Sequence, residues 1–189
     1  AIPGSTQTLP GYLNALNQYV VNGQVLKDGE TVLCQSLAIL HYLERHTPTP
    51  ALFGDDLSGS ALIMQRVYEV LSCMDPHINE IVQAIFRGKF EERKAALHTA
   101  AEKALKELHT LENWLTQSSW LAGAQCSAAD IIMIPTFQRL LRALQKQPEL
   151  GVELGLHDWA EHFPNLEKWT ANTQELPAFD RAFPPHWKE

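Results

Sequence analysis

Residues 47–59 break the chain with Thr47-Pro48-Thr49-Pro50 and then Gly54-Asp55-Asp56-Leu57-Ser58-Gly59. That density of turn-formers does not suit regular structure, so residues 48–59 are predicted to be an inter-domain linker. The two flanks differ in period. Before the break lie short β-prone runs around glycine turns; after it almost every segment repeats with helical spacing. Two domains of unlike build are expected, residues 1–47 and 60–189, and the molecule should be mainly α.

In the first domain, Tyr19-Val20-Val21 and Gln24-Val25-Leu26 flank Asn22-Gly23, and Thr31-Val32-Leu33-Cys34 follows Asp28-Gly29. Asn-Gly and Asp-Gly both supply the left-handed conformations of tight hairpin turns. A helix is expected from Ser36 to His46, with Leu37, Leu40 and Leu43 at helical spacing. A hairpin running straight into one helix cannot bury both faces of its sheet.

The second domain reads as a helix bundle. Ile63, Val67, Val70, Met74, Ile78, Ile81 and Ile85 form one long stripe that Pro76 should kink. Leu97, Ala101, Ala104, Leu108, Leu111 and Leu115 alternate steps of four and three, the mark of a straight amphipathic helix. Ile131, Ile134, Phe137, Leu141 and Leu144 mark a third helix, apolar nearly all round at its start and so expected to be central. Shorter helices are expected from about His157 to His162 and from Pro164, since proline at a first helical position forfeits no hydrogen bond.

Composition narrows the function. The 189 residues are 45% hydrophobic and 20% charged, which describes a folded chain. The net charge of −7, without any basic block, argues against nucleic acid and anionic membranes as partners. Ile131-Ile132-Met133-Ile134 is among the longest apolar runs and is far too short to span a bilayer. No charged-then-apolar leader opens the chain. Cys34, Cys73 and Cys126 are odd in number and lack a CxxC pair, so reduced thiols in a cytoplasmic protein are expected. His157, Asp158 and His162 lack the spacing of a metal site, and no metal is expected.

Two local motifs carry more. Ser127-Ala128-Ala129-Asp130 opens the most hydrophobic helix. Ser127 can accept from the backbone N–H three residues on while Asp130 reaches back to the N–H of Ser127, and Cys126 and Ile131 hold the staple positions. In Asp28 to Ile39 a strand ends and Gln35-Ser36 stands at a helix N-terminus, where free N–H groups and the helix dipole favour an anion such as a small carboxylate. Ser36 could equally serve only as its own helix's cap. Cys34 beside them could be an activated thiol or an inert thiol facing inward.

Together, Asp28 to Glu44, a Pro-rich linker, Trp120-Leu121-Ala122-Gly123 with Ser127 to Asp130, and the late Phe163-Pro164-Asn165-Leu166, Trp169 and Leu176-Pro177-Ala178-Phe179 resemble the glutathione transferase superfamily over roughly residues 12–189. The resemblance implies a partial thioredoxin-like α/β domain followed by the family's all-α bundle. It implies that Gln35 and Ser36 hold the γ-glutamyl carboxylate of glutathione as co-substrate, with Val25 a backbone contact. It implies that Tyr68, Cys73 and His77, on the first long helix of the bundle, help line the pocket of a hydrophobic electrophile. A homodimer and conjugation of glutathione to that electrophile follow from the same likeness. The Gln-Ser pair also resembles the maleylacetoacetate isomerase-like branch.

The family opens on a strand–helix–strand unit bearing the residue that activates the thiol, and no residues before Tyr19 read as that unit. Gln24-Val25 is followed by Leu26 where the family has a cis-proline. The catalytic residue is therefore unassigned. Two expectations stay open: a sequence that is part of a longer enzyme, or a non-catalytic member kept for ligand carriage or protein interaction.

Overall fold

The computed structural model describes residues 25–87, 92–146, 153–177, 179–184 and 187. The expected Tyr19–Val21 strand, the Asn22-Gly23 turn, Ala178 and His186 lie outside them. The chain divides into two compact units, one of residues up to 60 together with those from 170 on, the other of residues 61–169. The described residues are mainly α with one small two-stranded sheet.

In the first unit, β1 (Val25–Asp28) pairs antiparallel with β2 (Thr31–Cys34), in the register Val25 opposite Cys34 and Asp28 opposite Thr31. Gly29, at φ 57°, takes the left-handed position of the two-residue loop, as the Asp-Gly pair predicts. Helix α1 (Ser36–His46) follows after a single residue and buries Ile39, Leu40 and Leu43. The Tyr42 hydroxyl donates to Asp28 at 2.8 Å, and His46 Nε2 stands 3.8 Å from the same carboxylate, so the helix grips the turn end of the hairpin. That bond to Asp28 pushes the Tyr42 pKa up. Beyond α1, the Phe53 N–H donates to Glu44 at 2.8 Å and the Phe53 ring stacks on His41 at 3.7 Å, folding the breaker segment back along the helix. The Thr49-Pro50 peptide is cis.

Residues 57–59, expected in the linker, are instead the first turn of α2 (Leu57–Glu69). Asp56 Oδ1 accepts from the N–H groups of Ser58 and Gly59, both at 2.9 Å, and this cap starts the helix despite the glycine. From residue 170 on, the described residues include the end of α7 (Pro164–Gln174) and the short α8 (Phe179–Ala182), where the rings of Phe179, Phe183 and Trp187 follow one another at 5.9 Å.

The second unit holds the main core. The stripe expected as one kinked helix is α2, a π turn at Val70–Met74, and α3 (Asp75–Phe86). The N–H of Asp75 donates to the carbonyl of Val70, and Pro76, which has no N–H to give, follows at once. Helix α4 (Lys94–Leu115) buries all six residues of its predicted stripe. Helix α5 (Ala128–Lys146) is buried at each of its first seven residues, as its all-round hydrophobicity predicts. Its Phe137 meets the ring of Trp159 edge-on at 5.0 Å and that of Trp169 at 6.1 Å. Such edge contacts add about 0.5–1.5 kcal/mol each to the area they bury. The helix expected from His157 is one turn, α6 (Trp159–His162), and α7 runs from Pro164 to Gln174.

The Ser127–Asp130 box differs from expectation in one bond. Asp130 does reach back to the N–H of Ser127, at 2.9 Å, but the Ser127 hydroxyl donates to the same carboxylate instead of accepting from the backbone. The other Asp130 oxygen accepts from the N–H of Leu121 at 2.9 Å and from Trp169 Nε1 at 2.8 Å. Asp130 is fully buried, and desolvation pushes its pKa up against the pull of these four donors. Burial, and then the nearby Asp130, push the Cys126 thiol well up, which disfavours its thiolate.

Glu112 of α4 caps α7. Its carboxylate accepts from the backbone N–H of Asn165 and Leu166 and from the Asn165 amide, at 2.7–3.1 Å. These are first-turn donors with no intrahelical partner, and a carboxylate there also suits the helix dipole. Glu112→Ala is expected to destabilise the unit by about 1–2 kcal/mol, the usual range of a lost cap. A urea titration should show a lower midpoint at unchanged slope; an unchanged midpoint would mean that water replaces the carboxylate without loss.

Candidate functional site

The predicted anchor residues come together at the open end of the hairpin. β2 ends at Cys34 and α1 begins at Ser36, so Gln35 alone turns the chain from sheet to helix. It does so at φ 74°, ψ 125°, a left-handed region that a non-glycine side chain occupies at a cost of about 1–3 kcal/mol. Gln35 is exposed, and its side chain makes no capping bond to the helix that it precedes. Its carbonyl accepts the first helical bond, from Ile39 at 3.0 Å.

The electrostatics of α1 suit an anion at that end. Its first turn contains no acidic side chain, whereas Arg45 and His46 stand in its last turn beside the negative pole. The hairpin's two carboxylates, Asp28 and Glu30, are at its far, turn end, and Asp28 is bonded to Tyr42. Val25 lies opposite Cys34 in the ladder, half-exposed, so Val25, Gln35 and Ser36 occupy the same end of the unit. Cys34 is a free, exposed thiol and does not face inward.

The three expected pocket residues all belong to the second unit and are dispersed along its first helical stretch. Tyr68 near the end of α2 is 57% exposed, which makes it available to a ligand and unneeded in the core. Cys73, in the π turn, is exposed and free. His77 on α3, with Pro76, Glu80, Thr99 and Lys103, lines a groove of about 410 Å³ between α3 and α4. Among the described residues no group of three or more His, Cys, Asp or Glu could hold a metal ion, and no helix is long and apolar enough to cross a membrane.

Sequence reasoning missed the backbone of Gln35, because glutamine has no left-handed preference to betray it. It also missed the long-range ties of Asp75 to α5: the Thr136 hydroxyl donates to Asp75 at 3.1 Å and Arg139 pairs with the same oxygen.

Comparison with known proteins agrees with this architecture. The family profile described as glutathione S-transferase, C-terminal domain, matches residues 73–177. Glutathione S-transferase Z1 of Arabidopsis thaliana is 30% identical over 162 residues, which are 84% of this chain and 67% of that protein. A probable maleylacetoacetate isomerase of Drosophila melanogaster is 33% identical over 117 residues, 61% of this chain and 45% of that one. The crystal structure of poplar glutathione transferase F1 superposes with a TM-score of 0.70 at 22% identity, covering 93% of this chain and 78% of its own. A profile that takes in more than half of the residues, and a relative matched over two thirds of its length, make this chain a member of the glutathione S-transferase superfamily.

Proposed function

We propose that the chain is a glutathione transferase-like protein that joins the sulfur of glutathione to a hydrophobic small-molecule electrophile. The observation that carries this is the acid-free N-terminus of α1, presented at Gln35-Ser36 by a single strained residue, in a chain of this family. One carboxylate of glutathione would sit there, with Ser36 donating to it, Gln35 beside it and Val25 offering backbone contact. The thiol loses its proton to water, the thiolate sulfur forms the new bond to the electrophile, and a leaving group departs with the displaced electron pair. A hydrogen bond to the thiolate lowers its pKa for this step; the residue that donates it is unassigned. Tyr68 and Cys73 offer an exposed face to the electrophile.

Residues 1–47 are on this reading the partial thioredoxin-like, glutathione-binding domain. A homodimer and a cytoplasmic setting, where free thiols at Cys34, Cys73 and Cys126 persist, belong to the same proposal. Light scattering that gives 21.3 kDa at micromolar concentration would count against the dimer.

Calorimetry with glutathione, followed by a conjugation assay with an aryl halide, tests the reading. Binding together with thioether formation above the uncatalysed rate is expected. Binding without thioether formation would leave two alternatives. The likeness to a probable maleylacetoacetate isomerase favours a glutathione-dependent isomerase, recognised by turnover of a cis-unsaturated dicarboxylate. If neither reaction runs, the chain is a non-catalytic binding member; no binding at millimolar glutathione would end the anchor assignment.

A further inference from the structure

The π turn at Val70–Met74 is closed by a residue that is itself tied to another helix. The N–H of Asp75 makes the wide bond to the carbonyl of Val70, and the Asp75 carboxylate accepts from the Thr136 hydroxyl of α5 at 3.1 Å while pairing with Arg139 one turn further along α5. Thr136 is buried, and Arg139 Nη2 also lies 3.5 Å from its hydroxyl, so the three side chains form one cluster. Pro76 also works against an ordinary α turn here, since it has no N–H for the carbonyl of Ser72 and its ring would crowd that carbonyl.

The width of this turn decides which residues share a face. In a continuous α-helix, residues five apart stand roughly 140° from one another around the axis. Spread through a wider π turn, the same step from Tyr68 to Cys73 shrinks to roughly 90°. Both side chains are exposed, and the turn draws them toward one side of the helical stretch.

We propose that Asp75, Thr136 and Arg139 are positioning residues that hold the π turn open and thereby set the selectivity of the face carrying Tyr68 and Cys73. The selectivity half of this rests on the reading of that face as the electrophile's side of the site; the clamp itself does not.

Asp75→Ala removes both side-chain ties, whereas Asp75→Asn loses the charge but keeps an acceptor oxygen. Thr136→Val approaches the cluster from α5. In peptide-resolved hydrogen exchange, Asp75→Ala and Thr136→Val should speed exchange in residues 70–76 by fivefold or more. Asp75→Asn should stay within twofold of the wild type, and peptides from the middle of α4 should not change. In conjugation assays with a small and a bulky aryl halide, the ratio of the two kcat/KM values should move by threefold or more in Asp75→Ala, at constant KM for glutathione. Unchanged exchange at 70–76, or a rise spread evenly over the bundle, would overturn the clamp. Faster local exchange with an unmoved ratio would overturn its role in selectivity. If the wild type conjugates neither halide, the transferase reading and the selectivity role fail together, and the exchange result still decides the clamp.

Discussion

Asp130→Ala should destabilise the protein by about 4–5 kcal/mol, a loss reached only when a buried network is broken. Four donors converge on this carboxylate: the N–H groups of Leu121 and Ser127, the Ser127 hydroxyl and the indole of Trp169. Each buried donor left unmet costs about 1–3 kcal/mol, less where water enters or the hydroxyl turns away. Because typical domains are stable by about 5–15 kcal/mol, the variant should lose between roughly a third and nearly all of its stability. Asp130→Asn should cost less, about 2–3 kcal/mol, because one of its two polar atoms still accepts while the other meets donors with an NH2 group.

The pH dependence of that difference has a definite sign. Burial raises the Asp130 pKa above its ordinary 3.8, so between those two values the folded state keeps a proton that the unfolded chain has lost. Stability contributed by protonated Asp130 is complete below 3.8 and declines as pH rises through the raised value. The deficit of Asp130→Asn relative to the wild type should therefore narrow on going from pH 4 to pH 7 in parallel urea titrations. A deficit that widens would show the four donors outweighing desolvation.

Ser36→Ala should weaken glutathione binding by about 1.5–3 kcal/mol, some tenfold to a hundredfold or more, by removing one hydrogen bond to a charged group. Gln35→Ala should weaken it less, because a neutral amide bonds an anion less strongly than a charged partner does. Ser36 is partly exposed at the first helical position, and a urea titration of each variant separates any change in the fold from the change in affinity. Titration calorimetry gives the affinity directly. Equal affinity in the wild type and Ser36→Ala would place the carboxylate elsewhere, whatever the catalytic outcome.

Much of this architecture was legible because it is periodic or punctuated. The α4 stripe, the all-round apolar start of α5, the Asp28-Gly29 turn and the proline that opens α7 are local signals, and each element formed where they stand. What escaped is what joins residues far apart in the chain. The reach of Asp130 back to Ser127 spans three residues and could be read; its bond to Trp169 spans 39 and could not. Pro76 announces a disturbance in the long helix, but the form of that disturbance involves ties to Thr136 and Arg139, 61 and 64 residues away. The start of α7 was visible at Pro164, whereas its cap, Glu112, belongs to a helix half a bundle earlier. At the anchor the residue types were readable and the backbone that presents them was not.

The left-handed backbone of Gln35 has a consequence for anyone who improves this protein by selection. Glycine adopts that conformation freely, and the relief should exceed the entropy that glycine adds to the unfolded chain. A library ranked by melting temperature would thus enrich glycine at position 35 and discard the amide of the proposed glutathione anchor. On the proposed reading, heat-selected descendants would look healthier in every unfolding assay while drifting away from glutathione, so such a screen should carry glutathione in the buffer from its first round.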